Sequence, residues 1–360
     1  MLIKTLNRIS KSLGFRFRRR VDGLRRAFRV AFPSGFAAEI SAVEQFSPMG
    51  DGEYELYQQY YENCLREVVR FKKTAASDAF AQHITHVGQY IFQLKSGREI
   101  KVAIDAHDHR DIRSQAIHDW CDVYFKSNRW PGIDYDPKVL PIPTGNAGIT
   151  LENCRYLKGL RSAGKEWDLI FVGRIWAGGD ANVEHNLRLF ESLAKVKCKS
   201  KLLAVVFNFD KESDEFQIIA RRLNEAGVEM TDRQIRYDDL MKMSADSKLV
   251  VLRAGISGCI AWRMVDMLGM GACLLLDQAP FPEWPVPLKE NINFFSLGTR
   301  ITEDCRPAPE EDYERIPLLV DSVLKSQTQI QRICEENGLY FDKNLCPLRC
   351  ASYISYAITK

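Results

Sequence analysis

Residues Ser247 to Leu297 read SKLVVLRAGISGCIAWRMVDMLGMGACLLLDQAPFPEWPVPLKENINFFSL. Leu249 to Leu252 is an apolar run of strand length, and Arg253-Ala-Gly-Ile-Ser-Gly258 is a glycine-containing turn. Cys259 to Leu268 has helical character, Gly269 and Gly271 stop it, and Ala272 to Leu276 is a second apolar strand. Strand, turn, helix and strand make a βαβ unit, which demands a parallel sheet with helices on its faces.

In such sheets ligands bind beyond the carboxyl ends of the strands. That rule places Arg253, Gly255, Ser257 and Arg263 near an anion site. Glycines let backbone N–H groups approach a phosphate, a helix N-terminus adds favourable dipole charge, and arginine grips phosphate oxygens with two parallel hydrogen bonds. The plainer alternative is a tight turn and a solvated helix arginine.

The segment Arg263-Met-Val-Asp266-Met-Leu-Gly-Met-Gly271-Ala-Cys-Leu-Leu resembles the donor-domain helix and strand of GT-B glycosyltransferases. Pro282, Trp284, Pro285, Pro287, Leu288 and Phe295 resemble the segment that follows in exostosin-like and CAP10-type transferases. The resemblance spans roughly residues 165–340. It implies a nucleotide-sugar donor, a UDP-sugar, with no tightly bound cofactor and no metal. It also implies that Arg263 and Asp266 face the donor's phosphates and ribose. Many retaining members carry a glutamate eight positions before the acid; here that residue is Gly258, which points to an inverting enzyme.

At 360 residues the chain is long enough for two domains with proper cores. Its net charge of +3 is unevenly spread. Residues 1–32 hold ten Lys/Arg and one acid, Asp22, so the remainder carries −6. Leu2, Leu6, Ile9, Leu13, Phe17, Leu24 and Phe28 recur at helical spacing among the arginines of this leader. A basic amphipathic helix of this kind suits an anionic membrane surface. A solvated helix packed on the body is the alternative. Nucleic-acid binding ranks lower, because the body is acidic and no basic-aromatic module follows. No apolar run is long enough to span a membrane, and the leader lacks the apolar core of a secretory signal. The ten cysteines match no zinc spacing and are not needed as a disulfide framework. These features place the chain in the cytoplasm, peripheral on the inner face of the membrane.

Pro33 to Gly52 is rich in breakers and reads as a linker; Glu53 to Ala76 reads as one helix. Glu99 to Ile104 is a buried strand that ends in Asp105-Ala-His107-Asp108-His109-Arg110-Asp111. This polar cluster reads as a solvated loop, a metal site, or the general base of a transfer reaction. By resemblance to the CAP10-type enzymes Asp108 is the base, with Asp105 second. The strand Asp122–Lys126 ends in Lys126, which, with Arg129, is placed to face donor phosphates or to decorate an exposed loop. A further strand, Trp167 to Val172, leads to Gly173 and Arg174, a phosphate candidate at the strand end. Tyr313 to Glu336 reads as one long helix, followed by a last helix that crosses back to the first domain.

The resulting expectation is an α/β, GT-B-like protein with two Rossmann-like domains and a cleft between them. The basic leader is 1–32, the acceptor-side domain 33–150, the donor domain 151–340, and the crossing helix 341–360. The expected reaction is glycosyl transfer from a nucleotide sugar to a hydroxyl of a glycan or lipid-linked glycan, in surface polysaccharide or glycoconjugate synthesis. A non-catalytic binding or scaffold protein of the same fold is the alternative.

Overall fold

The computed structural model describes residues 39–47, 52–75, 84–177, 180–255, 258–277, 282–299 and 307–359. The basic leader 1–32 and Ser257 lie outside the described residues.

The first half builds β1 (Ile40–Ser47), α1 (Gly52–Arg66), β2 (Arg70–Ala75), β3 (Val87–Leu94), β4 (Glu99–Asp105), α2 (Gln115–Trp120), β5 (Val123–Lys126) and β6 (Val139–Pro141). Its sheet has the order β2-β1-β3-β4-β5-β6. β4, β5 and β6 run parallel, as do β1 and β2, whereas β3 is antiparallel to both β1 and β4. The sheet is therefore mixed rather than wholly parallel.

Two expectations fail here. The stretch read as a linker contains β1, hidden because breakers crowd both of its ends. The helix read through to Ala76 stops at Arg66, and Arg70–Ala75 (RFKKTA) pairs with β1. A charged strand at a sheet edge resists pairing with other chains, so its polarity fits its place and disguises it as helix surface.

The second half opens with α3 (Leu151–Gly159), whose N-cap Thr150 Oγ1 accepts from Asn153 N at 3.1 Å. It continues with β7 (Trp167–Trp176), α4 (Asp180–Ala194), β8 (Ser200–Phe207), α5 (Asp214–Glu225), β9 (Glu229–Thr231), α6 (Tyr237–Ala245), β10 (Ser247–Leu252), α7 (Arg263–Gly269), β11 (Leu274–Leu276) and β12 (Phe294–Ser296). All pairs in the order β12-β11-β10-β7-β8-β9 are parallel. The βαβ unit of the sequence reading is thus β10–α7–β11. Its helix begins at Arg263 rather than Cys259, because Gly258 takes a φ of +73° and the chain there forms a compact loop.

The carboxyl-terminal part is α8 (Glu310–Lys325), α9 (Gln327–Tyr340), a π-turn at Phe341–Leu345 and α10 (Pro347–Thr359). The long helix expected at Tyr313–Glu336 is broken at Ser326, which leaves helical geometry at φ −97°, ψ 58°. α10 lies against α1 in the first half; Tyr353 Oη donates to Pro141 O at 2.7 Å, and Tyr60 Oη to Leu345 O at 2.8 Å.

A central apolar cluster joins the halves, with Ile104 and Phe125 from the first sheet and Leu252, Met264, Leu268, Phe341 and Ile354 from the second and its tail. Each such side chain, fully buried, contributes about 1.5–3 kcal/mol. A second cluster around Phe171 and Phe190 covers the other face of the second sheet, and a smaller one around Tyr124 covers the first. The result is two α/β units, each with helices on its sheet, facing one another across a cavity. Among the described residues no helix is long and apolar enough to cross a membrane.

Candidate functional site

The carboxyl ends of β7 and β10 open onto a cavity of about 480 Å³. β7 supplies Gly173 and Arg174, the turn after β10 supplies Arg253 and Gly255, and the start of α7 supplies Arg263. Asp108, on the loop after β4, faces it from the first unit. Strand ends converge in this way because parallel strands share one direction, so their exit loops share one edge. Gly173 has a packing reason as well, since a Cβ there would lie 2.9 Å from the Phe190 ring.

The electrostatics are those of an anion site. Burial and the charges of Arg174 and Arg253 push Arg263 down to about 10, with Asp266 opposing them. Three guanidinium groups crowd one cavity, and a dianionic group placed among them would relieve the repulsion. Arg253 Nε also donates to Ala254 O at 3.0 Å, which folds its stem back over the turn.

The backbone amides do not play the part expected of them. Ala254 N donates to Asp277 Oδ1 at 2.8 Å, Gly255 N to Cys259 O at 2.8 Å, and Gly258 N to Gly255 O at 3.1 Å. Gly255 is needed because a Cβ would stand 2.4 Å from Cys259 Sγ. The described turn amides thus serve the turn itself, and positive charge at the site comes from arginine side chains.

Asp105 and Lys126 are displaced from the roles expected of them. Asp105 and Lys126 are register partners on β4 and β5, and both are 0% exposed. Asp105 accepts from Lys126 Nζ at 2.9 Å, from Tyr124 Oη at 2.8 Å and from His107 N at 2.8 Å. Neither group lines the cavity, so Asp105 is not placed as a base nor Lys126 as a phosphate ligand. Arg129 is also turned away, pairing with Glu283 of the second unit.

Asp108 does line the cavity. Burial raises its carboxyl, while the Cys259 thiol, which donates to it, and the nearby His86 and His109 hold it down. Its backbone carbonyl accepts from Asn128 Nδ2. His107 packs edge-on to His86 and stacks on His109, with ring centroids 4.5 and 4.6 Å apart. Burial and the charge of His86 push His107 down to about 4. Among the described residues no group of three or more His, Cys, Asp or Glu side chains is arranged to hold a metal ion.

Asp266 is likewise not placed as the resemblance implies. It is 0% exposed, and both oxygens are engaged, Oδ1 by Tyr237 Oη at 2.7 Å and Oδ2 by Asn146 Nδ2 at 3.0 Å. Asn153 Nδ2 donates to Tyr237 Oη at 2.9 Å. The carboxylate that the resemblance assigns to the ribose instead ties the segment between the two units to α6 and α7. Burial pushes it up to about 6.

The sequence reading missed a buried set beneath the turn: Asp277, His185 and Tyr313. They come from the end of β11, from α4 and from α8, and no local spacing connects them. An adjoining cavity of about 260 Å³ shares Arg174 and Arg263 with the first and is otherwise lined by Val205, Gln234, Ile235 and Leu240, among others.

No family model and no curated protein matches the sequence. Among solved structures the chain is similar to the C-terminal domain of a glycosyl transferase group 1 family protein from Francisella tularensis, at 13% identity and a TM-score of 0.36 over 53% of this chain and 93% of that one. It is similar to a glycosyltransferase from Rickettsia africae, at 14% identity and a TM-score of 0.41 over 66% of this chain and 64% of that one. It is also similar to Anabaena HepE in complex with UDP-glucose, at 11% identity and a TM-score of 0.40 over 66% of this chain and 64% of that one. The matched part thus spans less than two thirds of the latter two proteins.

Proposed function

We propose that this protein transfers a sugar from a nucleotide sugar, of the UDP class, to a hydroxyl of a glycan or lipid-linked glycan. The observation that carries the reading is the convergence of Arg174, Arg253 and Arg263 from one unit, and Asp108 from the other, on one cavity. The donor class rests on the resemblance of residues 263–275, and the adjoining cavity beyond Arg174 and Arg263, lined by both apolar and polar side chains, offers room for the nucleoside.

In the proposed reaction the diphosphate lies among the arginines. The bond from the anomeric carbon to the phosphate oxygen breaks, and a bond to the acceptor oxygen forms. The acceptor proton passes to Asp108, and the electron pair leaves with the nucleoside diphosphate, whose growing charge the guanidinium groups stabilise. Base and leaving-group site belong to opposite units, which supports in-line displacement with inversion. Residues 1–32 are proposed to hold the enzyme on an anionic membrane surface at the cytoplasmic face, where lipid-linked acceptors reside; deleting them is expected to abolish pelleting with anionic vesicles.

Thermal denaturation with UDP, GDP, CMP, ADP and NAD tests the reading. A nucleoside diphosphate at 100 times its dissociation constant adds about 2.7 kcal/mol. Stabilisation by UDP supports the proposal; stabilisation by NAD alone overturns it.

A further inference from the structure

Beneath the arginine turn runs a hydrogen-bonded chain whose direction follows from its donors. Ala308 N donates to Tyr313 Oη at 3.2 Å. Tyr313 Oη lies 2.6 Å from His185 Nδ1, and His185 Nε2 lies 3.0 Å from Asp277 Oδ2. Asp277 Oδ1 accepts Ala254 N at 2.8 Å, and its backbone carbonyl accepts from Thr299 Oγ1. His185 is 1% exposed, Tyr313 1% and Asp277 0%, so water does not substitute for any partner.

Hydrogen bookkeeping fixes the protons. A carboxylate only accepts, so His185 Nε2 carries hydrogen toward Asp277. Tyr313 oxygen already accepts from Ala308, and its own hydrogen needs an acceptor, which among the described residues an unprotonated Nδ1 supplies. The order is therefore Ala308 to Tyr313 to His185 to Asp277, met from the other side by the amide of Ala254. The chain ends on the residue between Arg253 and Gly255. It starts at the segment that leads into α8.

We propose that Asp277, His185 and Tyr313 are positioning residues that hold the Arg253–Gly255 turn in its diphosphate-binding shape. The inference rests on the transferase reading above. It adds that donor affinity is set by three groups that do not touch the donor, and that the segment entering α8 is mechanically linked to the donor site. A buried carboxylate holding one backbone amide gives the turn a single geometry, because every alternative leaves a buried charge or N–H without a partner.

The test uses the full-length protein. Long-range ¹⁵N–¹H spectra identify the His185 tautomer, assigned by loss of its signals in His185→Gln. The wild type is expected to show hydrogen on Nε2 and none on Nδ1. In Asp277→Asn a single amide oxygen faces two donors, His185 Nε2–H and Ala254 N–H, so one of the two hydrogen bonds is lost. UDP titration calorimetry is run on the wild type, Asp277→Asn, Tyr313→Phe and the double variant. Asp277→Asn is expected to weaken UDP binding by about tenfold or more, the effect of one unmet buried hydrogen bond. Tyr313→Phe, which keeps the ring's packing, is expected to weaken it several-fold, with the double variant no worse than Asp277→Asn alone. Residues that only stabilised the fold would lower the melting temperature additively and leave UDP affinity within twofold. That outcome, or hydrogen on Nδ1 in the wild type, overturns the inference. Should Asp277→Asn fail to fold, Tyr313→Phe and the wild-type tautomer decide. A wild type that binds no nucleoside diphosphate would instead sink the transferase reading, leaving the proton order to stand or fall on the spectra.

Discussion

Asp105 Oδ2 and Lys126 Nζ lie 2.9 Å apart at the ends of β4 and β5, with neither side chain exposed. Both have the chemistry of an active site, and their partners are already inside the protein. Removing one member of a buried pair leaves the other charge without compensation, at a cost of about 3–5 kcal/mol. Lys126→Met is therefore expected to lose about that much folding stability in urea denaturation, whereas the double variant Asp105→Asn/Lys126→Met, which removes both charges and keeps an acceptor oxygen at the site, recovers part of it. Full stability in Lys126→Met would refute the assignment of this pair to the fold.

Asp108 behaves oppositely. Asp108→Asn keeps the shape of the loop, whose carbonyl is held by Asn128. It is expected to reduce sugar transfer by about 10²–10⁴-fold, the usual contribution of a general base. UDP affinity in calorimetry should be nearly unchanged, because Asp108 enters the cavity from the first unit and the three arginines from the second. A variant that retained full turnover would remove Asp108 from the chemistry.

Arg263 is held in its charged form against burial and against Arg174 and Arg253. Arg263→Met is expected to weaken UDP binding by about 1.5–3 kcal/mol, the worth of a hydrogen bond to a charged group. The ligand-free protein should melt no lower than wild type, since a penalised charge has gone. Loss of stability without loss of UDP affinity would mean that Arg263 supports the fold rather than the ligand.

Asp266 should leave a mark on the pH dependence of stability. Its folded-state value of about 6 lies above the ordinary 3.8, so the folded protein holds this proton more tightly than the unfolded chain. Stability from this group is present below about pH 4 and is lost as pH rises through about 6, a change of about 3 kcal/mol. The groups facing it are Tyr237, Asn146 and Arg263, and burial pushes the Tyr237 hydroxyl up, so it stays a donor throughout. Denaturant titrations at pH 4 and pH 7 are expected to show a larger loss for wild type than for Asp266→Asn. Equal losses would mean that the carboxylate is ionised at no cost.

Much of the fold was legible in the sequence because it is local. The apolar strands β7, β10 and β11 stand out, and Gly271, at a φ of +65° after α7, marks the helix end in residues a few positions apart. Strand-end logic also brought Arg174, Arg253 and Arg263 to one edge, because in a parallel sheet the direction of each strand says where its exit loop lies. β1 and β2 were not legible, since a short strand among breakers and a charged edge strand gain their stability from pairing rather than from their own pattern.

What the sequence by itself determined is the class, two α/β units with arginines at strand ends, since periodicity and chain direction are properties of neighbours along the chain. Only the tertiary structure decided which acidic and basic side chains remain available. Asp105 and Lys126 neutralise each other across β4 and β5, Asp266 is taken by Tyr237 and Asn146, and Asp108 alone of the three aspartates lines the cavity. Burial and partner choice depend on residues 19 to 120 positions away, and no spacing rule reaches that far.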